Sequence, residues 1–393
     1  MVRYRVLWEA QVRRFQDALE QYKRRRLTAE EAGELLGLSA RHFRRRCVRY
    51  EAEGVEGLRD KRLGRVSNRR APESELARMR ALYKEEYADF TVKHFHEELR
   101  RRHNYALGYT VTRLALQKSG DVKPAPGRGK HRKKRVRRPM VGMMLMQDGS
   151  THRWIAPLGH DIDLIVTMDD ATSWIYSAFF VAQEGTMSSF RGLRETIETH
   201  GLFSSLYTDR GSHYFHTPVA GGPPDKKTLT QLGRALKQLG IRHIPSYTPE
   251  GRGRMERVFR TLQQRLPPML RRAGILTMET ANAYLRDTYV PEHNARFGKP
   301  AAEPGSAFVA RAGIALDDVL CVREDRQVGR DNCVSWSGRD LQIPEQRHRR
   351  HYVKALVCVH EYTNGWLAIF DGPRCLARFD AQGVEIDEPA PVA

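Results

Sequence analysis

The chain reads as a multidomain protein with an α-helical N-terminal region of helix-turn-helix character, an α/β core on a mixed sheet, and a small C-terminal β-barrel. Three observations predict this. Apolar residues recur at helical spacing over roughly the first hundred positions. Short apolar runs then alternate with helical stretches from about residue 140, and period-two runs without helices return after about residue 311. At 393 residues the chain has length for several separate cores.

Lys and Arg number 67 against 47 acids, a formal charge of +20, while 40% of residues are hydrophobic. A globular protein with that excess predicts a polyanionic partner, because cations that neutralise phosphates release condensed counterions. No run approaches the roughly 18 to 20 apolar residues that span a bilayer, and residues 1–10 lack the apolar centre of a secretory signal. The expectation is a cytoplasmic or nucleoid-associated protein with no membrane partner. Five cysteines, Cys47, Cys321, Cys333, Cys358 and Cys375, form no CxxC pair, so they read as reduced, space-filling thiols rather than a disulfide framework or a thiolate zinc site.

Residues 1–70 form the first expected domain. Leu7, Val12, Phe15, Leu19 and Tyr22 mark one face of a helix over residues 5–26. Thr28-Ala-Glu-Glu31 is a capping-box pattern, Gly37 turns the chain, and Ser39 caps a further helix. That helix would bury Phe43 and Cys47 and present Arg41, Arg44, Arg45 and Arg49 outward, as insertion into a major groove requires; the plainer alternative is a solvated basic helix in a bundle. Residues 71–120 read as a second helical domain, winged-helix-like, in which Thr110 would cap a helix over 111–118. His94 and His96 lack a third ligand and read as a surface pair rather than a metal site. Residues 121–140 combine Pro, Gly and dense charge into a basic linker whose Lys130, Arg132, Lys133, Lys134 and Arg135 are candidate phosphate contacts.

Residues 141–310 read as strand (143–147, with Trp154), strand (164–168), strand (175–181), helix, strand (206–208), helix, strand (241–244) and a long helix over 252–266. This order gives a mixed sheet flanked by helices. Residues 311–393 return to β, with Asn364-Gly365 as a hairpin turn.

Asp148 and Asp209 each follow an apolar strand run, and Glu256 lies on the long helix beside its core face of Met255, Phe259, Leu262 and Leu266. Each acid alone carries little weight, since Asp at a strand end commonly holds a turn. Brought together, buried carboxylates need protons or a hard cation to offset their charge. Two Mg2+ (or Mn2+) ions bridged by Asp148 would offset it and serve phosphodiester transfer, one ion at the attacking oxygen and one at the leaving oxygen. Arg252, Arg254, Arg257 and Arg260 surround Glu256 and are candidate grips on a DNA backbone. Asp169 and Asp170 read as turn-forming residues, and His213 as a surface loop histidine.

The segments MLMQDGSTHRWI, LIVTMDDATSWIYSAFF, LYTDRGSHYF and IPSYTPEGRGRMERVFRTLQQRL resemble, in this order, the DDE-type insertion-sequence transposases with a retroviral-integrase-like catalytic core. The resemblance implies a ribonuclease-H-like core over 141–310. It implies that Asp148, Asp209 and Glu256 are the catalytic, metal-binding triad, and that the function is end recognition, cleavage to a free 3′-hydroxyl, and joining to target DNA. The implied partners are double-stranded DNA, as element ends and as target, and further copies of the chain, at least a dimer. The interval before Glu256 is longer than usual in the family, with residues 215–227 as the apparent insertion. The family's retroviral members carry an N-terminal zinc site, for which this sequence offers only Cys47. Two other functions share parts of the pattern: a metal-dependent endonuclease without strand transfer, and a DNA-binding regulator derived from a transposase.

Overall fold

The computed structural model describes residues 2–59, 70–127, 135–219, 222, 225, 227–247, 249–311 and 313–386. The chain divides into two compact units, Met1–Glu75 and Leu76–Ala393.

In the first unit, α1 (Val2–Lys23), α2 (Ala29–Leu35) and α3 (Ala40–Glu53) bury Phe15, Leu19, Ala32, Phe43 and Cys47 in one core. The caps fall where the sequence puts them. Thr28 accepts from the Glu31 amide while Glu31 reaches back to the Thr28 amide, and Ser39 accepts from the His42 amide. Gly33 is required here, because a Cβ would lie 2.6 Å from the Leu38 carbonyl oxygen, where α2 closes onto the turn to α3.

α4 (Glu73–Glu86) begins three residues before the second unit and runs into it, followed there by α5 (Val92–Arg102) and α6 (Tyr109–Lys118). Two expectations are corrected there. α6 begins at Tyr109 with Gly108 as its N-cap, so Thr110 caps nothing. His94 and His96 are buried, not a surface pair; His94 stacks on Phe90 at 4.3 Å, and burial drives its pKa down to about 3. These helices contact the core: Met269 joins their apolar cluster, and Glu97 pairs with Arg265 at 2.6 Å and with Arg296.

The core sheet comprises β1 (Leu145–His152), β2 (Ile162–Asp169), β3 (Ile175–Val181), β4 (Ser205–Thr208) and β5 (Arg242–Pro245) in the order β3-β2-β1-β4-β5. β1 to β3 form an antiparallel meander; β4 and β5 add in parallel to the other side of β1. The parallel connections need crossovers, supplied by α7 (Thr186–His200) and α8 (Gln231–Gln238). Their Phe190, Leu193, Ile197, Leu232 and Leu236 cover one face against Leu145 and Leu206. The other face, with Met146, Val166 and Met168, is covered by α10 (Met255–Arg272) through Met255, Phe259, Leu262 and Leu266. Each such fully buried side chain stabilises the packing by roughly 1.5–3 kcal/mol. A short α9 (Pro249–Arg252) precedes α10; α11 (Met278–Tyr284), a π-helical turn at Leu285–Tyr289 and α12 (Val290–Phe297) follow it. α10 continues through Pro267 and Pro268, past its expected end at Leu266, because Leu266, Pro268 and Leu270 remain buried.

After α13 (Leu316–Val319) come β6 (Val322–Gln327), β7 (Cys333–Trp336), β8 (Arg339–Gln342), β9 (Leu356–Glu361), β10 (Leu367–Asp371) and β11 (Arg374–Phe379). The expected closed barrel does not form. β11-β10-β9-β6 is an open antiparallel sheet, and β7-β8 is a separate hairpin. The hairpin is joined to the sheet by side chains, Val334, Trp336 and Leu341 against Val357, Val359 and Ile369, instead of by a backbone ladder. Among the described residues no helix is long and apolar enough to cross a membrane.

Candidate active site and nucleic-acid interface

β1 runs on to His152, so Asp148 stands in mid-strand rather than at the strand's end. The polar residues after Gln147 extend as strand because β2 pairs with all eight positions, Asp148 opposite Val166. Side-chain alternation then puts Asp148 on the face of Met146, Val166 and Met168, beneath α10. On the other side of β1 the parallel pairing to β4 reaches Met146 and Tyr207, two residues short of Asp148 and Asp209. Continued by that register, the two aspartates become neighbours where β1 and β4 part.

Asp148 is 8% exposed, and burial drives its pKa up to about 6; Arg252 opposes the shift, while Asp209 and Glu184 add to it. The Arg252 guanidinium donates to both Asp148 oxygens at 2.8 and 3.0 Å and lies 3.8 Å from an Asp209 oxygen. The other Asp209 oxygen accepts from the Gly211 amide at 2.8 Å. Gly211 is small for a reason, since a Cβ there would sit 3.1 Å from that same oxygen.

Glu256 occupies the first turn of α10 and is exposed. Among the described residues no three His, Cys, Asp or Glu side chains gather closely enough to hold a metal ion. The structure brings Asp148 and Asp209 together with Arg252, and Glu256, exposed in the first turn of α10, acts on the same arginine through its charge.

One acid absent from the sequence reading belongs to this site. Glu184, between β3 and α7, accepts from the Tyr214 hydroxyl at 3.3 Å and faces His213 at 3.5 Å. It lies so close to β1 that a Cβ on Gly149 would fall 2.3 Å from its carboxylate. A lone Glu in a loop gives no sequence signal; only the folding of β3 beside β2 delivers it. His213, read as a surface histidine, is mostly buried against this acid.

The four arginines around Glu256 separate into three kinds. Arg252 holds the aspartates. Arg254 is buried, bonded to the Asp170 carboxylate and to the Arg135 carbonyl, so its side chain is turned away from any external phosphate. Arg257 and Arg260 are exposed along α10. Arg135, read as a linker phosphate contact, pairs with Asp170 as well. Lys130, Arg132, Lys133 and Lys134 lie outside the described residues. In the first unit, Arg41, Arg44 and Arg45 are exposed on α3 and Arg49 is half-buried, while Phe43 and Cys47 fix the opposite face; Arg44 lies 3.3 Å from Glu30.

Asp169 and Asp170 act as turn residues. Asp169 accepts from the Gly142 amide and from the amide and hydroxyl of Thr172, and Asp170 accepts from the Arg138 amide besides its two arginines.

A helix-turn-helix domain family matches residues 16–65, which include α2 and α3. Over 348 residues the chain is 31% identical to a putative transposase, y4bF, of Sinorhizobium fredii, a match spanning 88% of this chain and 75% of that one. It is 28% identical over 300 residues to the transposase for insertion sequence IS1202 of Streptococcus pneumoniae, across 67% of this chain and 63% of the relative. Among solved structures, the HTLV-2 integrase catalytic core domain in complex with magnesium is 14% identical with a TM-score of 0.28, over 37% of this chain and 82% of that one. A simian T-cell lymphotropic virus intasome in complex with a PP2A regulatory subunit is 16% identical with a TM-score of 0.32, over 67% and 85%. Both structural likenesses are slight, and the fold rests on its own strand order.

Proposed function

Because this chain belongs to the transposase family, we propose that it recognises the ends of a mobile DNA element, cleaves them to free 3′-hydroxyls, and joins those hydroxyls to target DNA. The observation that carries this reading is the pair Asp148, on β1, and Asp209, just past the end of β4, one of them buried and both facing a single shared cation.

The donor set suits a hard divalent cation. Carboxylate oxygens are the ligands Mg2+ prefers, and two neighbouring acids that already share an arginine's charge have a standing requirement for positive charge. Asp148 and Asp209 would hold the ion, with Glu256 in the first turn of α10 as the third ligand. When bound, such ions supply positive charge to the attacking and leaving oxygens of the phosphodiester.

The chain's own residues do the rest. Burial beneath α10 keeps water from competing for Asp148, and the Gly211 amide fixes the orientation of Asp209. Arg257 and Arg260 offer charge to the DNA backbone along the same helix, and α3 offers Arg41, Arg44, Arg45 and Arg49 to a major groove. Two element ends joined in one event require one such site each, so the working form is at least a dimer.

The test is a strand-transfer assay with a precut element end and a supercoiled target. Wild-type protein with Mg2+ should give joined products, while Asp148→Asn, Asp209→Asn and Glu256→Gln should bind DNA without cutting or joining it. Cleavage without joining would return the protein to the nucleases, and full activity in Asp209→Asn would remove the reading altogether.

A further inference from the structure

Arg252 is the residue at the site that the proposed chemistry does not use, and its placement is specific. Its guanidinium spans both oxygens of Asp148 and approaches Asp209, so it occupies the position from which a cation would bridge the two. We propose that Arg252 is a displaceable counter-cation that closes the Asp148–Asp209 pair to divalent metal until a DNA phosphate draws it away, coupling metal loading to DNA binding. This rests on the active-site reading above.

Charge supports the exchange. Asp148, Asp209 and the Arg252 guanidinium together carry one net negative charge, whereas a divalent ion in place of the guanidinium would bring the two carboxylates to neutrality. The guanidinium and the ion need the same oxygen atoms, so one excludes the other. Here one nitrogen, Nη2, serves both Asp148 oxygens while Nη1 only approaches Asp209, and a guanidinium donates to phosphate oxygens as it does to carboxylate, so an incoming phosphodiester is a fit replacement partner.

The local backbone supports it too. Arg252 lies between Gly251 and Gly253, in a segment fixed on both sides. Before it, Gly251 lies so close to β4 that a Cβ would meet the Tyr207 hydroxyl at 1.9 Å. After it, Arg254 is locked to the buried Asp170. The Arg252 side chain, 38% exposed, is thus free to leave while the start of α10 stays in place. The exposed Arg257 and Arg260 on that helix favour the arrival of a DNA backbone at the place where Arg252 would receive it.

The experiment measures Mn2+ binding to the full chain by the electron paramagnetic resonance of free Mn2+, with and without a short duplex of mixed sequence, after subtracting uptake by the duplex alone. Wild-type protein should bind Mn2+ roughly ten- to a hundredfold more tightly with DNA present, the range of ordinary coupling between sites. Arg252→Gln should bind that tightly without DNA and gain little from it. Equal wild-type affinity in the two conditions overturns the proposal, as does an Arg252→Gln affinity no higher than wild type. If Arg252→Gln fails to fold, Arg252→Lys, whose compact ammonium reaches the two acids less well, must bind Mn2+ more tightly than wild type; equal or weaker binding counts against the proposal. Asp148→Asn separates the two levels. Loss of Mn2+ binding there, with no effect of Arg252→Gln, rejects the counter-cation alone, whereas unchanged Mn2+ binding in Asp148→Asn rejects the active-site reading beneath it.

Discussion

Two pairs of acids sit on or beside the core strands, and the sheet treats them differently. Asp169 and Asp170, at the turn from β2 to β3, are fully buried. Backbone amides, the Thr172 hydroxyl and two arginines surround their oxygens, and those partners come from the 135–142 segment, the turn itself and the start of α10. Asp148 and Asp209 instead share one arginine whose side chain reaches solvent, and Asp148 faces α10 from the sheet's other face. Burial alone does not mark a working carboxylate. The difference lies in whether the partners can be removed: a cage of amides and two arginines cannot leave, and a single arginine that reaches solvent can.

The two pairs of acids should differ most in their effect on activity. Asp148→Asn and Asp209→Asn should each lower strand cleavage by about a thousandfold or more, the loss of several kcal/mol of transition-state stabilisation, with DNA affinity unchanged. Asp170→Asn should leave the chemistry of any folded fraction near wild type. A loss of cleavage in well-folded Asp170→Asn as large as in Asp148→Asn would erase the distinction.

Stability should run the opposite way. Arg254→Ala leaves the buried Asp170 with only part of its compensation and should cost about 3 kcal/mol in urea denaturation of the full chain. The Asp148 pair should show itself through pH. The folded, metal-free chain retains the Asp148 proton up to about pH 6, whereas the unfolded chain releases it near the ordinary 3.8. Stability from this group therefore falls as pH rises through that window, by on the order of 3 kcal/mol at most, and is level on either side of it. Asp148→Asn should flatten that slope; an unchanged slope would mean that another group carries it.

The smallest effects belong to the exposed arginines. Arg257→Ala and Arg260→Ala should each reduce the salt dependence of DNA binding by about one unit of slope, while folding stability stays within about 0.5 kcal/mol of wild type. Arg254→Ala in a folded sample should leave that slope unaltered, which separates inward from outward arginines on one helix.

Much of this was legible beforehand where the physics is local. The capping box at Thr28, the Ser39 cap, the buried Phe43 and Cys47, and the apolar runs of β2 and β3 all depend on residues within a few positions of each other. β6 escaped notice because Val-Arg-Glu-Asp-Arg-Gln carries almost no apolar pattern; it is a strand by pairing with β9 along its whole length. The helices after α10 escaped for a related reason, with a π-helical turn and Pro291 interrupting their periodicity. His94 is polar by type, yet stacking on Phe90 places it in the interior. The barrel expectation failed because strand count alone does not say whether the last edge meets the first.

By itself the sequence determined the order of the core strands, the basic character of the chain and two of the acids of the site, because these depend on local pattern and composition. Tertiary structure decided how those acids are used. Glu184 reached the site from a loop, Arg254 turned inward while Arg252 closed over the aspartates, and Glu256 stayed exposed. Those outcomes depend on contacts across distances in the chain that no local pattern encodes, since a charged side chain takes its partner from whatever the packed sheet and α10 bring within reach.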